Sequence, residues 1–260
     1  MFGLKARKNN LVDLLPEVRG KYKCNVLLSK HTWLGVGGPA EVMFYPEDDD
    51  DLSVFLKNKP YNLPVSVIGG GSNLLVRDGG VPGVVIKLDS KFYRKHRLED
   101  GILTCGAGMR NSELKKIMLS NAVGGLEFLC SIPGHLGGSI KTNAGCFGKE
   151  VKDVLLQVTI VDEMGNIREV PVSDLSLGYR SSLFPDDWII TSLTLKTEPQ
   201  SPEQTQKIIE EQKAYRMKSQ PHNVRTAGST FKNPEGLRAW ELIKKSGCAE
   251  LQVNGAKVSD

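Results

Sequence analysis

Glycine is concentrated in one part of the chain, and this constrains the fold more than any other feature of the sequence. Of the 27 glycines in 260 residues, 16 lie in the 80 positions from Gly69 to Gly148. Because glycine weakens the interiors of helices and strands, such clustering needs a compensating use. Tight turns and loops whose backbone approaches a ligand closely are the usual ones. The region is therefore expected to carry turns or ligand-binding loops.

The first glycine cluster follows a short run of strand-forming residues, 65–68. It consists of Gly69, Gly70, Gly71, Ser72 and Asn73. Successive backbone N–H groups in such a turn form a concave anion site, which suits a phosphate or diphosphate. No Gly-Lys-Ser/Thr follows, so the segment is not a Walker loop, and 74–77 has the pattern of another strand. A glycine-rich hairpin without a ligand fits the same residues.

The second cluster contains Ile132, Pro133, Gly134, His135, Leu136, Gly137 and Gly138, and is followed by Asn143, Ala144 and Gly145. Proline before glycine fixes a turn, and paired glycines let the backbone pack against something flat or charged. The G-x-x-G spacing also occurs in RNA-binding KH modules, but the basic helix pair of those modules is missing here. Two glycine loops in one region predict an elongated ligand gripped at two points.

Three other patterns are interpreted as structural. Residues 35–40 fit the dinucleotide fingerprint G-x-G-x-x-A, yet Pro39 and a strand pattern follow where that motif needs a helix. Residues 91–97 mix basic and aromatic side chains, and we interpret them as a solvated strand or connection. The acidic run 47–51 precedes an apolar helical pattern, and carboxylates are favoured at a helix N-terminus.

Composition excludes several classes of protein. Hydrophobic residues at 40% and charged residues at 25% are ordinary for a folded soluble chain, and a net charge of +4 is too small to indicate nucleic-acid binding. No apolar run approaches the roughly 18 residues needed to span a bilayer, and the N-terminus lacks a secretory signal. The five cysteines and four histidines show no metal-binding spacing. We expect a cytoplasmic monomer or weak oligomer without metal, nucleic-acid or membrane partners.

The coarse pattern mixes strands and helices. Strand patterns occur at 42–45, 65–68, 74–77, 84–88, 154–161 and 188–195, with a hairpin turn at 162–166. Helices are expected after Ser112, after the capping box at Ser201, and after Asn233, the last ending at Gly247 and placing Leu237, Trp240 and Ile243 on one face. The segment 197–202 is the best linker candidate, so a smaller unit would begin near residue 200.

Two polar residues on either side of that segment are candidates for chemistry. Arg180 lies in a turn between strand patterns and offers a fixed fork of donors for a carboxylate or phosphate. Ser229 follows a glycine before a helix pattern, without the G-x-S-x-G elbow of a hydrolase. An ordinary surface arginine and an ordinary helix-capping segment are the alternatives.

Five segments in a fixed order resemble the UDP-N-acetylenolpyruvoylglucosamine reductase family, in its shorter type II branch. They are 68–73, 132–138, 143–145, 179–182 and 228–234, and the resemblance runs from about Thr32 to Asp260. It implies an α+β chain: a two-lobed FAD-binding PCMH-type module of the vanillyl-alcohol oxidase superfamily, followed by a smaller α/β substrate lobe. The implied boundaries are 1–88 and 89–198 for the two FAD-binding lobes and 199–260 for the substrate lobe.

The resemblance also implies a reaction. NADPH would reduce FAD, and the flavin would then pass the hydride to C3 of UDP-N-acetylglucosamine enolpyruvate, giving UDP-N-acetylmuramate for peptidoglycan synthesis. The segment 69–73 would hold the FAD diphosphate, while 132–138 and 143–145 would flank the rest of the cofactor. Arg180 would stabilise the enolate-like charge, Ser229 would donate a proton to C2, and Lys218 and Asn233 would contact the uridine diphosphate.

The sequence departs from the family at three points. Ser131 stands where relatives usually carry glycine, and His135 where they carry a small hydroxyl residue. The family's third catalytic residue, a glutamate, is expected beyond Asp260, so we expect a truncated chain. Two further functions stay open: another flavoprotein oxidase of the same superfamily, and a flavin-binding scaffold without catalysis.

Overall fold

The computed structural model describes residues 10–220, 224–226 and 228–258. The strands are β1 (Lys21–Leu27), β2 (Pro39–Tyr45), β3 (Val65–Val67), β4 (Val81–Ile86), β5 (His96–Glu99), β6 (Ile102–Gly106), β7 (Val123–Gly124), β8 (Gly145–Cys146), β9 (Lys149–Glu150), β10 (Leu155–Val161), β11 (Ile167–Pro171), β12 (Leu177–Gly178), β13 (Ser181–Ser182), β14 (Ile189–Lys196), β15 (Glu198–Pro199), β16 (Gln252–Val253) and β17 (Ala256–Lys257).

The α-helices are α1 (Asp49–Asn58), α2 (Leu114–Asn121), α3 (Glu127–Cys130), α4 (Leu136–Lys141), α5 (Pro202–Ser219) and α6 (Ala239–Lys245). Short 3-10 turns are found at Leu11–Leu14, Leu28–Lys30, Phe92–Arg94, Asn111–Glu113, Val151–Asp153 and Val172–Asp174.

The first sheet has four strands in the order β1-β2-β4-β3. β1 is antiparallel to β2, while β2, β4 and β3 run parallel, which requires crossover connections. One crossover is α1, which begins where the acidic run predicts: the Asp48 carboxylate caps it by accepting from the Asp51 N–H. The strand β2 begins at Pro39, where a dinucleotide fingerprint at 35–40 would need a helix, which confirms that these residues are not such a fingerprint.

The second sheet has five antiparallel strands in the order β11-β10-β14-β6-β5. The hairpin predicted at 162–166 joins β10 to β11, with the Asp162 N–H donating to the Asn166 carbonyl at 3.1 Å. The basic segment 91–97 forms a 3-10 turn and the start of the edge strand β5, as its interpretation as a connection predicts. Strand predictions at 154–161 and 188–195 are confirmed within one residue at each end.

One hydrophobic core joins the two sheets. Phe44 on β2 packs on Phe55 of α1 with ring centroids 4.8 Å apart, and the same cluster continues through Val158 of β10 and Leu193 of β14. At this junction the Thr191 hydroxyl of β14 donates to the Asp49 carboxylate of α1 at 3.0 Å. The glycine loops therefore connect elements of a packed unit that contains both sheets (residues 21–196), which we call the two-sheet body.

The strand predicted at 74–77 is wrong. This segment is irregular, and none of its backbone N–H groups donates to an acceptor within the described residues; only the Arg77 carbonyl accepts, from Gly38 at 3.0 Å and Gly80 at 2.9 Å. Leu75 is exposed. A short apolar run becomes a strand only where a partner strand is available, and here the chain is still leaving the glycine loop.

The helix predictions are correct for α5 and only partly correct for the other two. Ser201 caps α5 by accepting from the Gln204 N–H, with Pro202 at the first position. Ser112 does not cap α2, because a 3-10 turn precedes that helix. The third helix begins at Ala239, five residues after Pro234, and Leu237 and Trp240 are exposed rather than forming a buried face.

The segment 197–202 is attached to the body. β15 pairs with β7, the Thr197 N–H donates to the Gly101 carbonyl, and the Gln200 N–H donates to the Ala122 carbonyl. It is therefore not a free linker. The division at residues 88 and 198 stays a prediction, although each large sheet lies within one of the first two ranges. In the described part of the chain, no helix combines the length and apolarity needed to cross a bilayer.

Candidate active site

The first glycine loop leaves its backbone donors open. Ile68, after β3, still donates to the Ile86 carbonyl at 2.9 Å, but from Gly69 to Asn73 no N–H has an acceptor among the residues described. Gly71 has a φ of +62°, and a Cβ there would lie 2.0 Å from the His31 carbonyl oxygen. The turn therefore requires glycine, and it presents a run of N–H groups suited to an anion.

The second glycine loop is held by a residue that the sequence did not single out. Asn111 is fully buried, and its amide Nδ2 donates to the Ile132 carbonyl at 3.0 Å while its backbone N–H donates to the Gly134 carbonyl at 3.1 Å. Gly137 packs so closely on Ala107 that a Cβ would lie 2.9 Å from the Ala107 Cβ, whereas Gly138 faces open space. The loop is thus fixed on one side and open on the other.

The structure brings the two loops into contact. The Ser72 hydroxyl donates to the Pro133 carbonyl at 3.0 Å, and a Cβ on Gly70 would lie 2.9 Å from the Cα of Gly134. A side chain at Gly70 would therefore separate the loops. Together they form a continuous cradle, which we call the glycine cradle (69–73 and 132–138).

The third predicted segment lies next to a buried asparagine. Asn143, fully buried with a φ of +39°, donates to the Gly178 carbonyl at 2.8 Å and accepts from the Lys152 N–H at 3.0 Å. The Ala144 N–H donates to the Ser139 carbonyl of α4 at 2.8 Å, and Gly145 starts β8. Residues 143–145 therefore connect α4 to the turn that carries Arg180.

Arg180 lies at the tip of the turn between β12 and β13, with a φ of +50°. Its guanidinium donates to the Gly145 carbonyl, and its Nη1 lies 4.0 Å from Oε1 of Glu150. The side chain stays 38% exposed, so several of its donors remain open to a ligand. The structure thus places the predicted charge-stabilising residue against the third predicted cofactor segment.

The other predicted residues lie on the C-terminal part of the chain. Ser229 is exposed beside Gly228, Lys218 is exposed in the last turn of α5, and the Asn233 side chain accepts from the Ala239 N–H at 3.0 Å. Within the described ranges, no hydrogen bond, ion pair or ring contact joins any of the three to Arg180 or to the glycine cradle.

Helix α5 nevertheless contacts the cradle region. Tyr215 packs edge-on against Phe147 with ring centroids 5.8 Å apart, and Arg216 donates to the Ser131 carbonyl, directly before Ile132. The last turns of α5, which carry Lys218, therefore lie beside the second glycine loop. Arg216 was missed because its pattern is that of an ordinary basic residue near a helix C-terminus.

Basic side chains surround the first glycine loop. The Lys87 ammonium donates to the Gly69 carbonyl at 3.3 Å and lies 3.4 Å from Nδ1 of His31. Burial, followed by the neighbouring charges of Lys87 and Arg110, lowers the pKa of His135 to about 4, so its imidazole is neutral at pH 7. One sequence signal could have identified Lys87: it directly follows the buried apolar run of β4.

The comparisons with known proteins agree with this geometry. A family model described as "FAD binding domain" matches residues 40–171, and one described as "UDP-N-acetylenolpyruvoylglucosamine reductase, C-terminal domain" matches 220–260. A UDP-N-acetylenolpyruvoylglucosamine reductase of Bradyrhizobium sp. (strain ORS 278) is 42% identical over 251 residues, which cover 96% of this chain and 82% of that protein.

Two solved structures are similar to the chain. The UDP-N-acetylenolpyruvylglucosamine reductase (MurB) of Thermus caldophilus superposes with a TM-score of 0.79 at 34% identity, over 94% of this chain and 85% of that one. A solvent-stable cholesterol oxidase gives a TM-score of 0.51 at 15% identity, over 71% of this chain and 39% of that one, which shows a shared fold alone. These findings confirm the family and the FAD-binding fold that the five motifs predict.

Proposed function

The chain belongs to the UDP-N-acetylenolpyruvoylglucosamine reductase family of flavin-dependent oxidoreductases, and from this we propose that it uses NADPH to reduce UDP-N-acetylenolpyruvoylglucosamine to UDP-N-acetylmuramate. The observation that carries the proposal is the position of Arg180, whose guanidinium donates to the carbonyl of Gly145, in the third segment predicted to hold the cofactor, and keeps further donors open. We assign the reaction to cytoplasmic peptidoglycan precursor synthesis.

The glycine cradle fits FAD. Its first loop offers unpaired N–H groups for the diphosphate, and Gly138 of the second loop faces open space that a Cβ would occupy. Residues 69–73, 132–134, 137, 138 and 143–145 would hold the cofactor. When bound, FAD supplies the transfer of a hydride from NADPH to C3 of the enolpyruvyl group.

Arg180 would bind the substrate carboxylate. Negative charge builds on that carboxylate as C3 is reduced, and a guanidinium stays protonated at any working pH. Its planar fork matches a carboxylate in two hydrogen bonds, and the contact to the Gly145 carbonyl fixes its direction before substrate arrives. Positive charge already aimed at the developing anion lowers the barrier without reorganisation.

Ser229 would deliver the proton to C2. A serine hydroxyl is a weak acid, so it needs a fixed position and a nearby charge to act. Lys218 would bind the diphosphate of the substrate as a point charge, and Asn233 would do so through its amide donors. The Asn233 side-chain oxygen Oδ1 already accepts from the Ala239 N–H, and its Nδ2 donates to no acceptor among the residues described, so it can donate to the substrate.

The proposal is tested by following the product as well as the cofactor. The purified protein, FAD, NADPH and UDP-N-acetylenolpyruvoylglucosamine should give NADPH oxidation that depends on the sugar nucleotide, and mass spectrometry should find a product with two added hydrogens. NADPH oxidation that depends only on oxygen would favour another flavoprotein oxidase. Flavin binding without NADPH oxidation would favour a scaffold, and either result would overturn the proposal.

A further inference from the structure

Three basic side chains from distant parts of the sequence meet beside the first glycine loop. Lys87 follows β4, His31 follows the 3-10 turn after β1, and His135 precedes α4. The Lys87 Nζ lies 3.3 Å from the Gly69 carbonyl oxygen and 3.4 Å from Nδ1 of His31. His135 also lies close to this residue, since a Cβ on Gly69 would lie 3.6 Å from the His135 Cβ.

Lys87 carries the charge of this cluster. Burial lowers the pKa of both His31 and His135, and the charge of Lys87 lowers them further, so both rings are neutral at pH 7. The ammonium is half-buried, and no carboxylate of the described residues lies within ion-pair distance of it; the nearby Asp89 pairs with Arg94 instead. The charge of Asp89 acts on Lys87 only from beyond ion-pair distance, and a partly buried cation without a direct ion pair is costly unless an anion binds beside it.

The anion that fits is a diphosphate. Lys87 holds the carbonyl of the residue at which the run of unpaired N–H groups begins, so the cation and these donors share one short segment. Backbone N–H groups alone contribute only partial charges, and a dianion in a partly buried site is stabilised further by a full positive charge. The ring systems of FAD carry no such charge.

We propose that Lys87 supplies the positive charge that binds the FAD diphosphate at the glycine loop, with the His31 ring and the Gly69 carbonyl holding its ammonium in place. This rests on the proposed function only for the identity of the cofactor. It adds a full charge to a site in which the sequence indicated only uncharged backbone donors.

The test compares Lys87→Met with Lys87→Arg. Methionine keeps much of the length of the side chain and removes its charge, so the Kd for FAD, measured by flavin fluorescence, should rise about 10- to 100-fold. Raising the salt concentration should weaken FAD binding to the wild type and have little effect on Lys87→Met. Lys87→Arg should keep the salt dependence. Lys91→Met, at an exposed lysine nearby, is the matched control and should leave the Kd unchanged.

A structural role would give a different result. If Lys87 only supported the loop, Lys87→Met would weaken FAD binding without changing its salt dependence, and that result would overturn the inference. An unchanged Kd would also overturn it. If Lys87→Met does not fold, as judged by thermal melting without FAD, the salt dependence of the wild type and of Lys87→Arg decides: no dependence in either overturns the inference.

The inference and the proposed reaction can fail separately. A wild type that binds FAD through Lys87 but does not turn over the sugar nucleotide would leave the inference intact and overturn the reaction. A wild type that reduces the sugar nucleotide while Lys87→Met binds FAD normally would do the reverse. Failure of the wild type to bind FAD would overturn both.

Discussion

The two-sheet body and the C-terminal part of the chain are built differently. Within the described residues, every buried hydrophobic side chain of the core lies between Leu28 and Leu195, and beyond residue 200 only Thr205 is buried. Large apolar side chains of the C-terminal part stay exposed, among them Phe231 at 64% and Trp240 at 57%. The glycine cradle and Arg180 are thus held by a packed core, whereas the segment around Ser229 and Asn233 is held by local hydrogen bonds, from the Gly228 N–H to the Thr226 hydroxyl and from the Ala239 N–H to the Asn233 side chain.

This difference has a functional consequence. The body can hold the cofactor in a fixed geometry before any substrate arrives, because its loops are bonded to one another across large sequence separations. Ser229 and Asn233 need further contacts to be held at a fixed distance from Arg180, and bound substrate can provide these contacts. Changes in the core and in the glycine cradle should therefore affect stability and FAD binding, whereas changes at Arg180 and in the C-terminal part should affect the step that involves the sugar nucleotide.

The largest expected effect is on stability. Phe44→Ala removes a fully buried ring that packs on Phe55, and it should lower the free energy of unfolding by about 3–5 kcal/mol. Trp240→Ala, the matched change in the C-terminal part, should cost less than about 1 kcal/mol because most of the ring is exposed. Urea unfolding measures both, and equal losses would contradict the comparison.

Ser229→Ala should separate the two half-reactions. Reduction of bound flavin by NADPH should proceed at the wild-type rate, while reoxidation by the sugar nucleotide should slow by about 10²- to 10⁴-fold, since a positioned proton donor is lost. Anaerobic stopped-flow absorbance follows each half-reaction. Equal slowing of both would show that Ser229 acts on the cofactor site rather than on C2.

Arg180→Lys should have a smaller effect on the same step. Lysine keeps the charge but loses the planar fork, so reoxidation by the sugar nucleotide should slow by about 10²-fold with little change in FAD affinity. Arg168→Lys, at a half-exposed arginine that pairs with Asp162, serves as the control and should leave both half-reactions unchanged. A loss of FAD binding in Arg180→Lys would place the arginine in the cofactor site instead.

Much of the body could be predicted from the sequence, because its signals are local. The caps of α1 and α5, the hairpin after β10 and the positions of the glycine loops all follow from residues close to one another. Long-range contacts could not be predicted in this way. Ser72 bonds to Pro133 across 61 positions, and Asn111 and Lys87 matter only because the fold brings them to the loops.

The errors have a physical pattern too. The segment 74–77 has strand-forming residues but no partner strand within the described part of the chain, and α6 starts late because the Asn233 side chain closes a turn before it. The helix and strand propensities of the local residues predict neither the lack of a partner strand nor the turn closed by Asn233. The contact between Arg180 and the Gly145 carbonyl could be anticipated only from the family resemblance, since nothing in the spacing of these residues indicates it.

A pair of glycines tests whether the glycine cradle is packed more tightly than the turns of the C-terminal part. Gly71 and Gly236 both have positive φ, of +62° and +69°, but a Cβ on Gly71 would lie 2.0 Å from a backbone oxygen while that on Gly236 meets open space. Gly71→Ala should cost about 3 kcal/mol of stability and abolish FAD binding, and Gly236→Ala about 1 kcal/mol. Thermal unfolding with and without FAD measures both effects. Similar losses of stability in the two variants would show that the cost comes from the positive φ alone and not from the close contact at Gly71.

The smallest expected effect concerns the hydrogen bond between Thr191 of β14 and Asp49 of α1. Burial raises the pKa of the Asp49 carboxyl to about 6, the charges of Asp48 and Asp50 add to the rise, and the hydrogen bond from Thr191 opposes it. Because the folded state holds this proton more tightly than the unfolded state, the contribution of Asp49 is complete below about pH 4 and lost as pH rises through about 6.

Asp49→Asn should therefore stabilise the protein at pH 7 by about 1 kcal/mol, since the site is partly solvated, and should flatten the fall in stability between about pH 4 and 6. Urea unfolding across this pH range checks it. Glu163→Gln, at an exposed carboxylate outside helix α1, is the control. A stability loss at pH 7 in Asp49→Asn would show that the charged carboxylate is needed at the contact.

The proposed function requires that the glycine cradle holds FAD and that NADPH reduces the sugar nucleotide through it. An anaerobic absorbance spectrum of the FAD-loaded protein tests it most directly. We expect the flavin band to disappear when NADPH is added and to return when UDP-N-acetylenolpyruvoylglucosamine follows. A band that NADPH does not bleach, or that stays bleached after the sugar nucleotide is added, would contradict it.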